Sequence, residues 1–162
     1  MELARHATSV TSVEASTEVL EINRARRSGA WREPSVRHVE ADLFGGRPDA
    51  AYDAVFFGFW LSHVSPERVE AFRELARFVL RSGGRVFFVD SLGPETSDEK
   101  DRRSRDPQGL TTTRRLDDGR EFRIVKAFYD PAALERQLAG LGWNVSAHTT
   151  EHLPYGFGES LA

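Results

Sequence analysis

The chain has 162 residues, of which 40% are hydrophobic and 29% charged, with a net charge of -3 and no cysteine. This size fits a single domain spanning residues 1–162, and the small negative charge leaves no electrostatic footprint for nucleic acid or an anionic membrane. Lack of cysteine excludes disulfides, thiolate metal sites and a cysteine nucleophile, and no stretch approaches the roughly 20 apolar residues of a membrane span, so a cytoplasmic protein acting on a small molecule is expected.

In chain order, Leu3, Ala4 and Ala7 have the spacing of a closing helix. The β-branched run "SVTSVE" at 9–14 reads as a strand ending in an acid, Glu14. Ser16 is placed as N-cap of a helix in "TEVLEINRARR", with Glu18 in its positive first turn and Gly29 as its stop. "SVRHVEAD" at 35–42 is a second strand, again closed by an acid, Asp42, and "LFGGRP" after it is loop. "YDAVFFGFWL" at 52–61 is apolar throughout, the pattern of a central parallel strand covered on both faces.

Ser65, Pro66 and Glu67 predict a helix start, followed by an apolar stripe of Val69, Phe72, Leu75, Ala76 and Val79. Gly83 and Gly84 predict its end, and "RVFFVD" at 85–90 a parallel strand completing a βαβ unit. Residues 93–110 are polar and read as a mobile loop; 111–128 read as a hairpin around Asp118-Gly119. Asp130 and Pro131 open a last helix with Leu134, Leu138 and Leu141 on one face and Gly142 past its end. One or two strands broken at Pro154 close the chain. This is an α/β pattern, a Rossmann-like, mostly parallel sheet with flanking helices and antiparallel strands at the C-terminal end.

An open parallel sheet binds its ligand at the carboxyl ends of its strands, which selects Glu14, Asp42, the segment Gly58 to His63, and Asp90. A carboxylate at Glu14 offers two acceptor oxygens to a ribose diol. Asp42 is placed to accept from an exocyclic amine, with Leu43 and Phe44 as apolar walls. His63, whose unperturbed imidazole pKa lies near neutrality, reads first as a loop histidine that only hydrogen-bonds and second as a general base on a substrate hydroxyl. Glu14 also reads as a helix-start acid and Asp42 as turn chemistry. His148 and His152 have a metal-like spacing, but on a strand they stand about 13 Å apart, so no metal site is expected.

These segments resemble the class I S-adenosylmethionine-dependent methyltransferases, especially their small-molecule members. "VTSVEASTEVLEINRAR" is similar to the family's second strand and ribose-binding acid, "VEADLF" to its adenine-contacting strand end, and "YDAVFFGFWLSHV" to its fourth strand. "FRELARFVLRSGGRVFFVDS" resembles the next helix and fifth strand, and "FYDPAALERQLAGLGWNV" the last helix and sixth strand. The resemblance implies S-adenosyl-L-methionine as cofactor, held by Glu14, Ala15, Ser16, Asp42, Leu43 and the Gly58 backbone. It also implies an incomplete sheet at the N-terminal side, because the family's first strand and glycine-rich loop have no counterpart before residue 9. Direct pairing of strand 9–14 with strand 52–60, a strand from a second copy or partner chain, or an upstream segment would fill that place. The same absence implies impaired cofactor binding. Two rivals follow: a non-catalytic methyltransferase-like partner or truncated paralogue, and a nicotinamide-dependent oxidoreductase, for which neither a phosphate loop nor a Tyr-x-x-x-Lys pair is present.

Overall fold

The computed structural model describes residues 6–25, 35–45, 51–90, 110–150 and 154–160, with Ser35 and residues 154–160 described by their backbone. Residues 1–47 and 48–162 form two compact units. The Gly29 stop and the loop over 93–109 lie outside the described residues, as does most of the closing helix at 3–7, of which His6 and Ala7 are not helical.

In the first unit, strand β1 (Ser9–Glu14) is joined by helix α1 (Thr17–Ala25) to strand β2 (Ser35–Glu40). The two strands pair in parallel, Ser9 opposite Ser35 through Glu14 opposite Glu40. The helix starts where its cap chemistry places it: Val19 N–H donates to Ser16 Oγ at 3.3 Å, satisfying one of the orphan donors of the first turn. Leu20 anchors α1 and is fully buried.

In the second unit, strand β3 (Tyr52–Gly58) leads through two 3₁₀ turns, Leu61–His63 and Pro66–Arg68, into helix α2 (Val69–Val79) and strand β4 (Leu80–Val89). Strands β3 and β4 pair in parallel, as the βαβ reading requires. Two details differ from the sequence expectation. The helix begins at Val69, because Arg68 N–H bonds the Ser65 carbonyl at 2.8 Å in a tighter turn and the Ser65 side chain caps nothing. The next strand begins at Leu80, before the glycine pair, and the pairing register shifts between Tyr52 and Ala54. Gly84 is needed in that irregular stretch, since a Cβ there would stand 2.9 Å from the Arg81 carbonyl oxygen.

The apolar stripe of α2 packs on one face of these strands, with Phe72 edge-on to Phe57 at 5.0 Å and Phe57 stacked on Phe88 at 5.4 Å. The other face differs from expectation. Phe56 and Phe87 stack on each other at 5.8 Å but remain 44% and 40% exposed, so β3 is not covered on both sides. Alternation along a strand sends neighbouring residues to opposite faces, and a run that is apolar everywhere hides which face is covered.

Strands β5 (Thr111–Arg115) and β6 (Glu121–Val125) form the expected antiparallel hairpin. Its turn is closed by Leu116 N–H to the Arg120 carbonyl at 2.8 Å, with Gly119 at φ 87° where a side chain would be strained. Helix α3 (Pro131–Gly140) is capped by Asp130, whose carboxylate accepts from Ala133 N–H at 2.9 Å. Strands β7 (Trp143–Thr149) and β8 (Pro154–Ser160) end the chain, and β8 runs antiparallel between β4 and β7 in the order β3-β4-β8-β7. Trp143, Leu134, Leu138, Val86 and Phe88 lie in the buried core of this unit. Strands β1 and β2 form one sheet, and β3, β4, β8 and β7 another.

Candidate active site

Parallel pairing in the first unit brings two predicted acids to one end. Glu14 closes β1 opposite Glu40, the Glu14 carbonyl accepts from Ala41 N–H at 3.1 Å, and Asp42 follows one residue later. Each carboxylate spends one oxygen on its own loop: Glu14 Oε1 accepts from Ser16 N–H at 3.0 Å, and Asp42 Oδ1 accepts from Phe44 N–H at 3.0 Å. The second oxygens, Glu14 Oε2 and Asp42 Oδ2, remain as acceptors on half-exposed and exposed side chains. Ala15 is exposed and Leu43 half-buried beside them. The Ser16 hydroxyl is already engaged, donating to Glu18 Oε2 at 2.8 Å while capping α1. Local turn chemistry thus orients both acids without consuming them, which fits a ligand rich in hydroxyl and amine donors.

The second unit holds Gly58 and His63, with a buried polar network the sequence reading did not assemble. Gly58 ends β3 with its backbone open, since a Cβ there would meet only the Phe56 ring at 3.5 Å. Phe59 follows with φ 54°, a left-handed conformation that costs a non-glycine residue free energy and persists only where surrounding bonds fix it. Those bonds are present: Phe59 N–H donates to the Val89 carbonyl at 2.7 Å, and Ser62 N–H to Asp90 Oδ2 at 2.8 Å. From the hairpin side, Ala127 N–H donates to the Ser62 carbonyl at 2.8 Å, and Lys126 Nζ to Ser62 Oγ at 2.7 Å. The segment after β3 is therefore clamped by the end of β4 and by the residues after β6.

Lys126, Asp90 and Ser62 are 5%, 5% and 1% exposed. Lys126 Nζ lies 3.9 Å from Asp90 Oδ1 and 3.5 Å from His63 Nε2, and 5.6 Å from the centroid of the Phe128 ring. Burial pushes the Lys126 ammonium below its ordinary pKa, with Asp90 opposing that shift. His63 is likewise held below the usual imidazole value, first by burial and next by the Lys126 charge. Tyr129 is pushed up, first by burial and then by Asp90. The hydroxyls of Tyr129 and Thr112 are buried without a hydrogen-bond partner. Two buried donors without partners are unused recognition capacity in this unit.

Sequence reasoning selected Asp90 and, within the segment Gly58 to His63, Ser62 without giving either a role, and missed Lys126. The signal for the lysine was one cation breaking the apolar run "IVKAF" just after the hairpin. Among the described residues no helix is long and apolar enough to cross a membrane, and no group of three metal-ligating side chains occurs.

The profile of the Methyltransferase domain family matches residues 1–88. No curated protein matches the chain in sequence. Among solved structures, the DhpI–SAH complex is 35% identical with a TM-score of 0.75, covering 94% of this chain and 66% of that one. The DhpI–SAM–HEP complex is 34% identical with a TM-score of 0.77, covering 97% of this chain and 72% of that one. An S-adenosylmethionine-dependent methyltransferase from Clostridium acetobutylicum ATCC 824 shares the fold at 12% identity and a TM-score of 0.70, over 99% of this chain and 78% of that one. This chain thus spans about two thirds of the DhpI chain in the first comparison. With a matched profile over more than half its length and close structural relatives, the chain belongs to the Methyltransferase domain family, with the Rossmann-like α/β fold of S-adenosylmethionine-dependent methyltransferases.

Proposed function

We propose that this chain transfers a methyl group from S-adenosylmethionine to a small-molecule acceptor in the cytoplasm. The observation that carries this reading is the paired carboxyl end of β1 and β2, where Glu14 and Asp42 each keep one acceptor oxygen outside their own turns. Glu14 would take the ribose hydroxyls and Asp42 the exocyclic amine of the adenine, with Leu43 against the base and the backbones of Ala15 and Ser16 beside them. When bound, the cofactor supplies an electrophilic methyl group on a sulfonium.

The second unit holds a base and a cation of its own. His63 donates from Nδ1 to the Val125 carbonyl at 2.8 Å, which leaves Nε2 to take a proton from an acceptor hydroxyl. The adjacent Lys126 ammonium favours the oxyanion that this deprotonation creates. The unpartnered hydroxyls of Tyr129 and Thr112 are donors available to a bound acceptor.

Calorimetry with S-adenosylhomocysteine, with NADH as control, tests the cofactor reading. Binding of the first alone, weakened tenfold or more by Glu14→Gln, is the expected result. Equal affinity in wild type and Glu14→Gln removes the ribose role. Absence of binding to the wild type favours the non-catalytic reading, in which the domain serves as a partner subunit.

A further inference from the structure

The buried Lys126 ammonium stands 3.5 Å from His63 Nε2 and 3.9 Å from Asp90 Oδ1. Its short bond goes to Ser62 Oγ at 2.7 Å, next in sequence to His63. This sets the ammonium against the imidazole, a placement with a task of its own.

The ring geometry defines that task. The Val125 carbonyl can only accept, so the 2.8 Å contact places a proton on His63 Nδ1. In the neutral ring Nε2 then carries a bare lone pair, and the ammonium of Lys126 stands 3.5 Å from it. In the imidazolium both nitrogens carry protons, and an Nε2–H would face an ammonium: the like charges oppose that state. The other charged groups acting on His63 are Arg114, carried on β5, which also disfavours the proton, and Asp90 at the end of β4, which favours it; burial disfavours it most. Cross-strand pairing places Arg114 opposite Phe122 and Thr112 opposite Ile124, so strand alternation extends the face that carries Lys126 to Arg114.

We propose that Lys126 is a positioning residue for His63: the hairpin sets an ammonium against the ring that keeps it neutral at rest, with its proton on Nδ1 and Nε2 as the acceptor. This rests on the reading of His63 as the base, but its first test does not. The consequence is that the hairpin, beyond any part in holding the acceptor, sets the protonation state of the catalytic group from a strand about 60 residues away in sequence.

NMR titration of His63 in the unliganded full chain tests the proposal. In the wild type, the ring nitrogens report the Nδ1–H tautomer and a midpoint below that of a free imidazole. In Lys126→Met the midpoint rises toward the free value by about half a pH unit or more. Lys126→Arg keeps the wild-type midpoint, and Arg114→Gln, a change at an exposed site, gives a smaller rise. The acid limb of methyl transfer moves in parallel. A Nε2–H tautomer in the wild type, or an unmoved midpoint in folded Lys126→Met, overturns the proposal. If Lys126→Met does not fold, Lys126→Gln, which keeps a donor for Ser62 Oγ, takes its place, and an unmoved midpoint there overturns the proposal. A His63→Gln variant with undiminished transfer would instead remove the base reading and leave the coupling intact.

Discussion

The β1–β2 and β3–β4 pairs are built alike, two parallel strands joined through a helix and followed by acids, yet their carboxyl ends carry opposite chemistry. At the first, Glu14 and Asp42 are restrained by N–H groups of their own loops and face outward with an oxygen to spare. At the second, Asp90 is 5% exposed and holds the Ser62 N–H with the Lys126 ammonium nearby. The same local signal, an acid just past a strand, thus gives an outward-facing carboxylate in one place and a buried counter-charge in the other. The difference is set by whether a distant cation is delivered to it.

The largest effect expected from this contrast is on stability. Asp90→Ala leaves Lys126 without its counter-charge and the buried Ser62 N–H without an acceptor, a loss of about 3–5 kcal/mol in urea unfolding. Glu14→Ala, at the open end, is expected to cost well under 1 kcal/mol because Ser16 N–H is only partly buried. Comparable losses at both ends would erase the distinction.

Next in size is the reverse experiment, on binding. Glu14→Gln is expected to weaken S-adenosylhomocysteine by about 1.4–2.8 kcal/mol, or 10- to 100-fold, without shifting the unfolding midpoint. Asp42→Asn is expected to have a smaller effect, since an amide oxygen still accepts from an amine. An unfolding midpoint that moves with affinity in Glu14→Gln would mean that this acid, too, is structural.

How far each end was legible in sequence follows from the range of its interactions. The Ser16 cap, the Asp118-Gly119 turn and the Asp130 cap are fixed by bonds between residues two to four apart, and all appear where the residues place them. The acid end of β1 and β2 belongs to the same class. The buried network does not: Ser62 reaches Asp90 across 28 residues and Lys126 across 64, and no periodicity reports such pairs. For the same reason β8 lying between β4 and β7, and the open face at Phe56 and Phe87, were not readable. The glycine pair at 83–84 misled in a different way, because a turn signal after a helix also serves an irregular strand start.

Smaller again is a control that touches neither end. Asp130→Ala removes the acceptor of the Ala133 N–H and is expected to cost about 1 kcal/mol, the usual value of an N-cap, with cofactor affinity and the His63 titration unchanged. Movement of either would show that α3 communicates with a strand end and that the two ends are not the independent units assumed in the contrast.

The smallest effect is the pH dependence of stability, and its sign separates the two ends. His63 has a folded-state pKa below its unfolded value, so the unfolded chain binds more protons across the interval between them. Stability is then full above the ordinary imidazole pKa and declines as pH falls through it toward the lower folded value. Replacing His63 by Gln removes the proton uptake, so the slope of unfolding free energy against pH just below neutrality is expected to flatten relative to wild type. A slope of opposite sign, with stability rising as pH falls through this window, would mean that Asp90 outweighs burial and Lys126 at the ring. The second strand end would then stabilise the imidazolium.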